Sequence, residues 1–141
     1  MKAFNFLLVS AMHVAAVCAQ SISIGAPATG SLVVSRSTTT VEVDKPESLT
    51  PSDDVAIVIA MLNCGSSSPC SPPSEQLGSV LFQGPYSAQI QTPPKPPGEN
   101  FTVTLPDFGS TTVQLAVVHL ILVEAGPHVV LDIANITLAM D

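Results

Sequence analysis

Short runs of Val, Ile, Leu and Thr alternate along the chain with clusters of Gly, Pro, Ser and Asp, and helical periodicity is absent. That pattern predicts strands throughout. Eight are expected: Ser21–Gly25, Leu32–Ser35, Thr39–Asp44, Asp54–Leu62, Gly78–Gln83, Asn100–Leu105, Thr112–Val123 and His128–Met140. In Thr40–Asp44 the two valines share one face and the carboxylates the other. In Phe101–Leu105 the apolar residues face inward and the threonines outward, with Asn100 on the threonine side. The last strand is less regular. Val129, Leu131 and Ile133 share one parity, Ile136 and Leu138 the other, so a one-residue bulge near Ile133 and Ala134 is expected to bring both sets to the core.

Ala56–Leu62 and Leu115–Val123 are apolar on both faces, as central strands are, and Glu124–Pro127 supplies a tight return into the final strand. A two-sheet β-sandwich of seven to nine strands is the expected packing, with a closed β-barrel as the alternative. Cys64–Glu75 and Thr92–Gly98 read as loops, the second an extended polyproline II segment across its five-residue proline-rich tract.

The N-terminus has a different character. Met1–Lys2 is a short positive start, Phe4–Val17 is mostly apolar, and Val17-Cys18-Ala19 places small residues at the positions that precede a cleavage. Residues 1–19 are read as a secretory signal and 20–141 as a single β domain. The apolar stretch is too short to span a bilayer. Cleavage removes one of three cysteines and leaves Cys64 and Cys70, expected as a disulfide; five intervening residues is not a zinc spacing. Closing so small a loop contributes about 2 kcal/mol in the chain-entropy view. Asn100-Phe101-Thr102 and Asn135-Ile136-Thr137 are N-glycosylation sequons, both on faces expected to meet solvent.

Charge narrows the function classes. Four Lys and Arg stand against 11 Asp and Glu, a net charge of −7. Too few cations remain to neutralise a row of phosphates or to hold an anionic membrane, so neither nucleic acid nor membrane is an expected partner. With no Trp and one Tyr, the usual aromatic platform for sugars is missing. His119 lies inside an apolar run and reads as a core histidine; His128 sits at a turn. A Ser–His–Asp set using Asp132 is conceivable, yet no G-x-S-x-G elbow raises a serine. Asp53, Asp54, Asp44 and Glu47 read as solvated strand ends without calcium-loop spacing. No catalytic group, metal or cofactor is expected, which leaves a surface-acting, non-enzymatic module.

Several stretches, taken in order, resemble a known family: Ile22–Pro27, Val41–Pro46, Val55–Ile59 followed by Cys64 and Cys70, Leu77–Tyr86, Asn100–Thr104, Gln114–Val123 with Ala125–Pro127, and Asn135–Leu138. Together they resemble the necrosis-inducing secreted protein family of fungal effectors, in particular its mushroom-type members. The resemblance implies a small extracellular immunoglobulin-like sandwich, a virulence glycoprotein without enzymatic activity. It would bind kinases that partner plant immune receptors, outside the cell or after entry into the host cytoplasm, and suppress plant immunity. No binding residue carries over from the family. A wall-associated structural or adhesive protein is the alternative, suggested by the apolar, Ser/Thr/Pro-rich, acidic composition.

Overall fold

The computed structural model describes residues 21–47, 51–66, 69–123 and 128–141. The proposed signal, Cys18 and the Glu124–Pro127 return lie outside them. All eight expected strands are present: β1 (Ser23–Ala26), β2 (Leu32–Val33), β3 (Thr38–Asp44), β4 (Ser52–Gly65), β5 (Ser79–Gly84), β6 (Gly98–Thr104), β7 (Thr111–Val123) and β8 (His128–Met140). They form two sheets, three strands in the order β1-β3-β6 and five in the order β2-β8-β7-β4-β5. The architecture is the immunoglobulin-like sandwich; the sheets stay open, so the closed barrel is excluded.

The core lies where the two inner faces meet. Val41 and Val43 of β3 and Phe101 and Val103 of β6 point from the small sheet. Ile57, Ile59 and Met61 of β4 and Val113, Leu115 and Val117 of β7 point from the large one. Each such side chain contributes roughly 1.5–3 kcal/mol by leaving water. Phe82 reaches in from β5 and packs against Phe101 with centroids 4.7 Å apart. The long apolar runs are central strands as expected: β4 pairs with both β5 and β7, and β7 with both β4 and β8.

Three expectations need correction. First, β8 carries no bulge. It pairs with β7 in unbroken register from His128 to Met140. Asp132, Ala134, Ile136, Leu138 and Met140 take the inner side, which leaves Val129, Leu131 and Ile133 outside. The irregularities fall instead in β4, near Val55 and Cys64, and in β5 near Leu81. Secondly, the carboxylates of β3 do point away from the valines, yet they are not solvated. Glu42 and Asp44 are 7% and 8% exposed, because the segment before β6 folds across the outer face of the small sheet. Lys95 Nζ pairs with Glu42 at 2.5 Å and Gln91 Nε2 donates to Asp44 at 3.0 Å. Thirdly, that cover is not an extended polyproline segment. The chain turns at Thr92–Lys95, with Lys95 N donating to Thr92 O and a cis bond between Pro93 and Pro94. The Lys95–Glu42 ion pair holds the turn in place of a straight proline rod.

Candidate functional site

Two places gather polar chemistry, one inside the sandwich and one on its outer surface. The inner one is built by three strands far apart in sequence. The bulge at Val55 turns Asp54 toward the interior at one end of β4. Opposite it, His119 points inward from β7, fully buried. Lys45, just past β3, reaches across from the other sheet. Asp54 Oδ1 lies 2.5 Å from Lys45 Nζ and 3.0 Å from His119 Nε2. The histidine contact is off the N–H axis, so neither ring nitrogen has a well-aligned hydrogen-bond partner. Tyr86 packs edge-on against the imidazole at 4.9 Å and donates its hydroxyl to Val43 O. Asp132, opposite His119 on β8, accepts a hydrogen bond from the Ile22 backbone. Lys45, Ser52 and Asp54 also border a shallow cleft of about 320 Å³.

This cluster links the two sheets. His119 has no exposed surface, so substrate cannot reach it. Lys45 Nζ donates to Ser52 Oγ at 3.4 Å and is also engaged by Asp54. Burial lowers the pKa of His119 below its ordinary 6.5, against the raising effect of Asp54; Lys45 adds to the lowering and Asp132 opposes it. Folded His119 is therefore neutral where the unfolded chain already binds a proton, so stability is complete above about pH 6.5 and falls as pH drops toward the folded pKa. Unfolding by urea at pH 7, 6 and 5 is expected to show that decline, and His119→Gln should flatten it.

Asp44 titrates the opposite way. Its carboxyl is raised above 3.8 by burial and by neighbouring Glu42, with Gln91 and Lys95 opposing. Its contribution to stability is complete below about pH 3.8 and is lost as pH rises through the raised folded value.

The outer surface is formed by the five-stranded sheet. Cys64 and Cys70 form the expected disulfide, Cα atoms 5.1 Å apart. The segment that follows folds back over one end of the sheet. Ala60, Leu62, Gln114 and Ala116 all point outward, yet none is more than 8% exposed, and Gln114 Nε2 donates to Ser71 O at 3.2 Å. Between this cover and β8 runs a groove of about 600 Å³, bordered by Pro72, Pro73, Gln114, Asn135 and Thr137. Toward the other end of the sheet the cover stops. Three apolar cross-strand pairs lie there, Val118–Ile133, Leu120–Leu131 and Leu122–Val129, with the β7 members half-buried and the β8 members exposed. Val129 and Leu131 are 67% and 62% exposed.

The two sequons sit on opposite sheets, Asn100 on β6 and Asn135 on β8, both exposed. His128 is exposed at the start of β8. Among the described residues no three His, Cys, Asp or Glu side chains converge on a point that could hold a metal ion, and no helix among them is long and apolar enough to cross a membrane. The exposed β8 row is not decided by the sequence pattern. Its signal, the parity break at Ile133, is present in the chain but reads equally as a bulge.

No family model matches the chain, and no curated protein matches it. Solved structures do. Superoxide reductase (neelaredoxin) from Ignicoccus hospitalis superposes with TM-score 0.50 at 12% identity, covering 86% of this chain and 80% of that one. Two single-residue variants of the same reductase each give a TM-score of 0.51 at 14% identity. One covers 87% of this chain and 82% of its own, the other 86% and 81%. At that identity the likeness concerns the fold. It corrects two expectations drawn from the sequence. These structures are of a superoxide reductase, so the non-enzymatic reading is withdrawn. The reading as a kinase-binding suppressor of plant immunity, with its wall-protein alternative, is withdrawn with it. The donor set for metal-based redox chemistry does not converge among the described residues, and no catalytic step follows from their arrangement.

Proposed function

We propose that the protein is a secreted β-sandwich that recognises an extended polypeptide segment by strand addition at the edge of β8. The observation that carries this reading is the exposed apolar row Val129, Leu131 and Ile133 of β8, each facing a half-buried apolar residue of β7, beside a strand edge that is largely unpaired. β8 is fully paired with β7 on one side. On the other, β2 pairs only with Ala139 and Met140, and Gly30 donates to Thr137 O. From His128 to Ile136 no described strand pairs with that edge, and the segment leading into β1 meets it only where Ile22 N donates to the Asp132 side chain. The segment contains no Pro and no Lys, two of the devices that usually blunt such an edge. A partner strand with alternating apolar residues would continue the main-chain ladder and extend the Val129–Leu131–Ile133 row by one strand. The disulfide, the even cysteine count left by signal cleavage and the acidic surface support extracellular work.

Selection from a library of linear peptides against the mature protein tests this. Enriched sequences should alternate apolar and polar residues over five or more positions. Leu131→Lys, at an exposed site, should weaken their binding about tenfold or more by placing an unpaired cation against the apolar row, while Val34→Lys should leave it unchanged. Enrichment without alternation, or binding indifferent to Leu131→Lys, would reject the proposal.

A further inference from the structure

On the strand-addition reading above, we infer that the segment taken by the β8 edge is β8 of a second copy of this chain, paired antiparallel about a two-fold axis at Leu131. The unpaired backbone groups of the edge point to it. At the covered end of β8, Ala139 N donates to Ser31 O, Asp141 N donates to Val33 O, and Thr137 O accepts from Gly30 N. Odd-numbered residues therefore turn their N–H and C=O toward the β2 side. β8 keeps unbroken register with β7, so the alternation of an antiparallel strand carries back without a change of phase. Ile133, Leu131 and Val129 thus present N–H and C=O groups to the same edge, where no described strand pairs with them. Their side chains form the exposed apolar row.

That combination is self-complementary. A two-fold dimer needs a surface that matches itself. With the axis at Leu131, Leu131 faces its own copy and Val129 faces Ile133 of the second copy, in both directions. Each facing pair turns N–H and C=O toward one another, two hydrogen bonds at each of three pairs, about six in all. Every contact on the outer side is apolar on apolar. Shifting the axis toward the C-terminus loses the match. At Asp132 it sets two carboxylates opposite each other, and at Ile133 it sets Leu131 against Asn135. The Leu131-centred overlap runs from His128 to Ala134, short of both the Asn135 sequon and β2. His128 and Asp132 are the titratable residues within it. Asp132 lies opposite Val130 of the second copy and already accepts from Ile22 N. Any other partner must bring the same alternation with it, whereas a second copy supplies it by symmetry. A strand pair of this length is small beside a standard interface, so the dimer is reversible and depends on concentration.

The test uses the full chain as secreted from a yeast host, with its disulfide intact. Sedimentation velocity over a concentration series should show a monomer–dimer equilibrium. Leu131→Lys, at an exposed site, should weaken it about tenfold or more, because two cations then face each other in an apolar row. Val34→Lys should leave it unchanged. Introduced thiols read the register, since Cys64 and Cys70 are bonded to each other. Facing Cα atoms in such a pair stand about 5.5 Å apart, within disulfide reach. Under mild oxidation Leu131→Cys should cross-link to itself. Val129→Cys and Ile133→Cys should each stay unlinked alone and cross-link when mixed.

A protein that stays monomeric at every concentration, yet binds alternating peptides through Leu131, would overturn the second copy and leave the strand-addition reading standing. A monomer that enriches no such peptide would overturn both. A dimer indifferent to Leu131→Lys, or one in which all three single-cysteine variants cross-link alike, would place the contact elsewhere and overturn the inference.

Discussion

Gly78→Ala is expected to cost about 3 kcal/mol of stability, measured by urea unfolding. Two effects add. Gly78 has φ +81°, a conformation that costs an alanine roughly 1–2 kcal/mol. Its Cβ would also lie 2.7 Å from Leu62 Cα and against the Met61 carbonyl oxygen. Both atoms belong to the backbone of β4, the central strand, and cannot step aside as a flexible side chain would. Gly30→Ala separates the two effects. Gly30 has a similar φ of +79° but open space around its Cβ position, so it should lose only the conformational part, about 1 kcal/mol. Equal losses at both sites would show that the close approach to β4 contributes nothing. The same approach explains how the cover over the outer sheet is anchored. The chain returns at Gly78 directly against β4, which lets the disulfide loop lie flat over Leu62 and Gln114. Displacing it should also open the groove.

Asp54→Ala is expected to cost about 3 kcal/mol. The carboxylate is shared between Lys45, whose side chain is 14% exposed, and the fully buried His119. Its removal strands a largely buried cation beside an imidazole that already lacks aligned partners. Removing both charges is a different matter. Lys45→Met with Asp54→Leu replaces the pair by apolar groups of similar length and should recover most of the loss, because the desolvation cost of both ions disappears together. A double variant as unstable as Asp54→Ala alone would mean that the ion pair, rather than the burden of an unpaired charge, holds the sheets at this end.

The candidate surface is only partly legible in the sequence. Alternation in Phe101–Leu105 places the phenylalanine and valine inside and the threonines outside, and the structure agrees residue by residue. It can do so because a strand's parity is a local property. In β8 parity alone is not enough. Val129, Leu131 and Ile133 look like core residues, and local sequence cannot tell which face of a strand will be covered. That depends on where the cover following the disulfide stops, and on the short β2, which leaves most of the β8 edge without a paired strand. Glu42 and Asp44 fail for the converse reason. Their outward parity is right, but a loop far later in the chain covers them.

By itself the sequence determined the all-β class, the number and order of strands, the two central strands, the disulfide pair and the outward placement of Asn100 and Asn135. Each of these follows from composition or from a period of two over a few residues. The tertiary structure alone decided the rest: the meeting of Lys45, Asp54 and His119 from three elements, the fold-back of the disulfide loop that leaves Gln114 Oε1 without a partner, and the apolar row left exposed on β8. Those depend on which faces meet and where coverage stops, and long-range packing sets both.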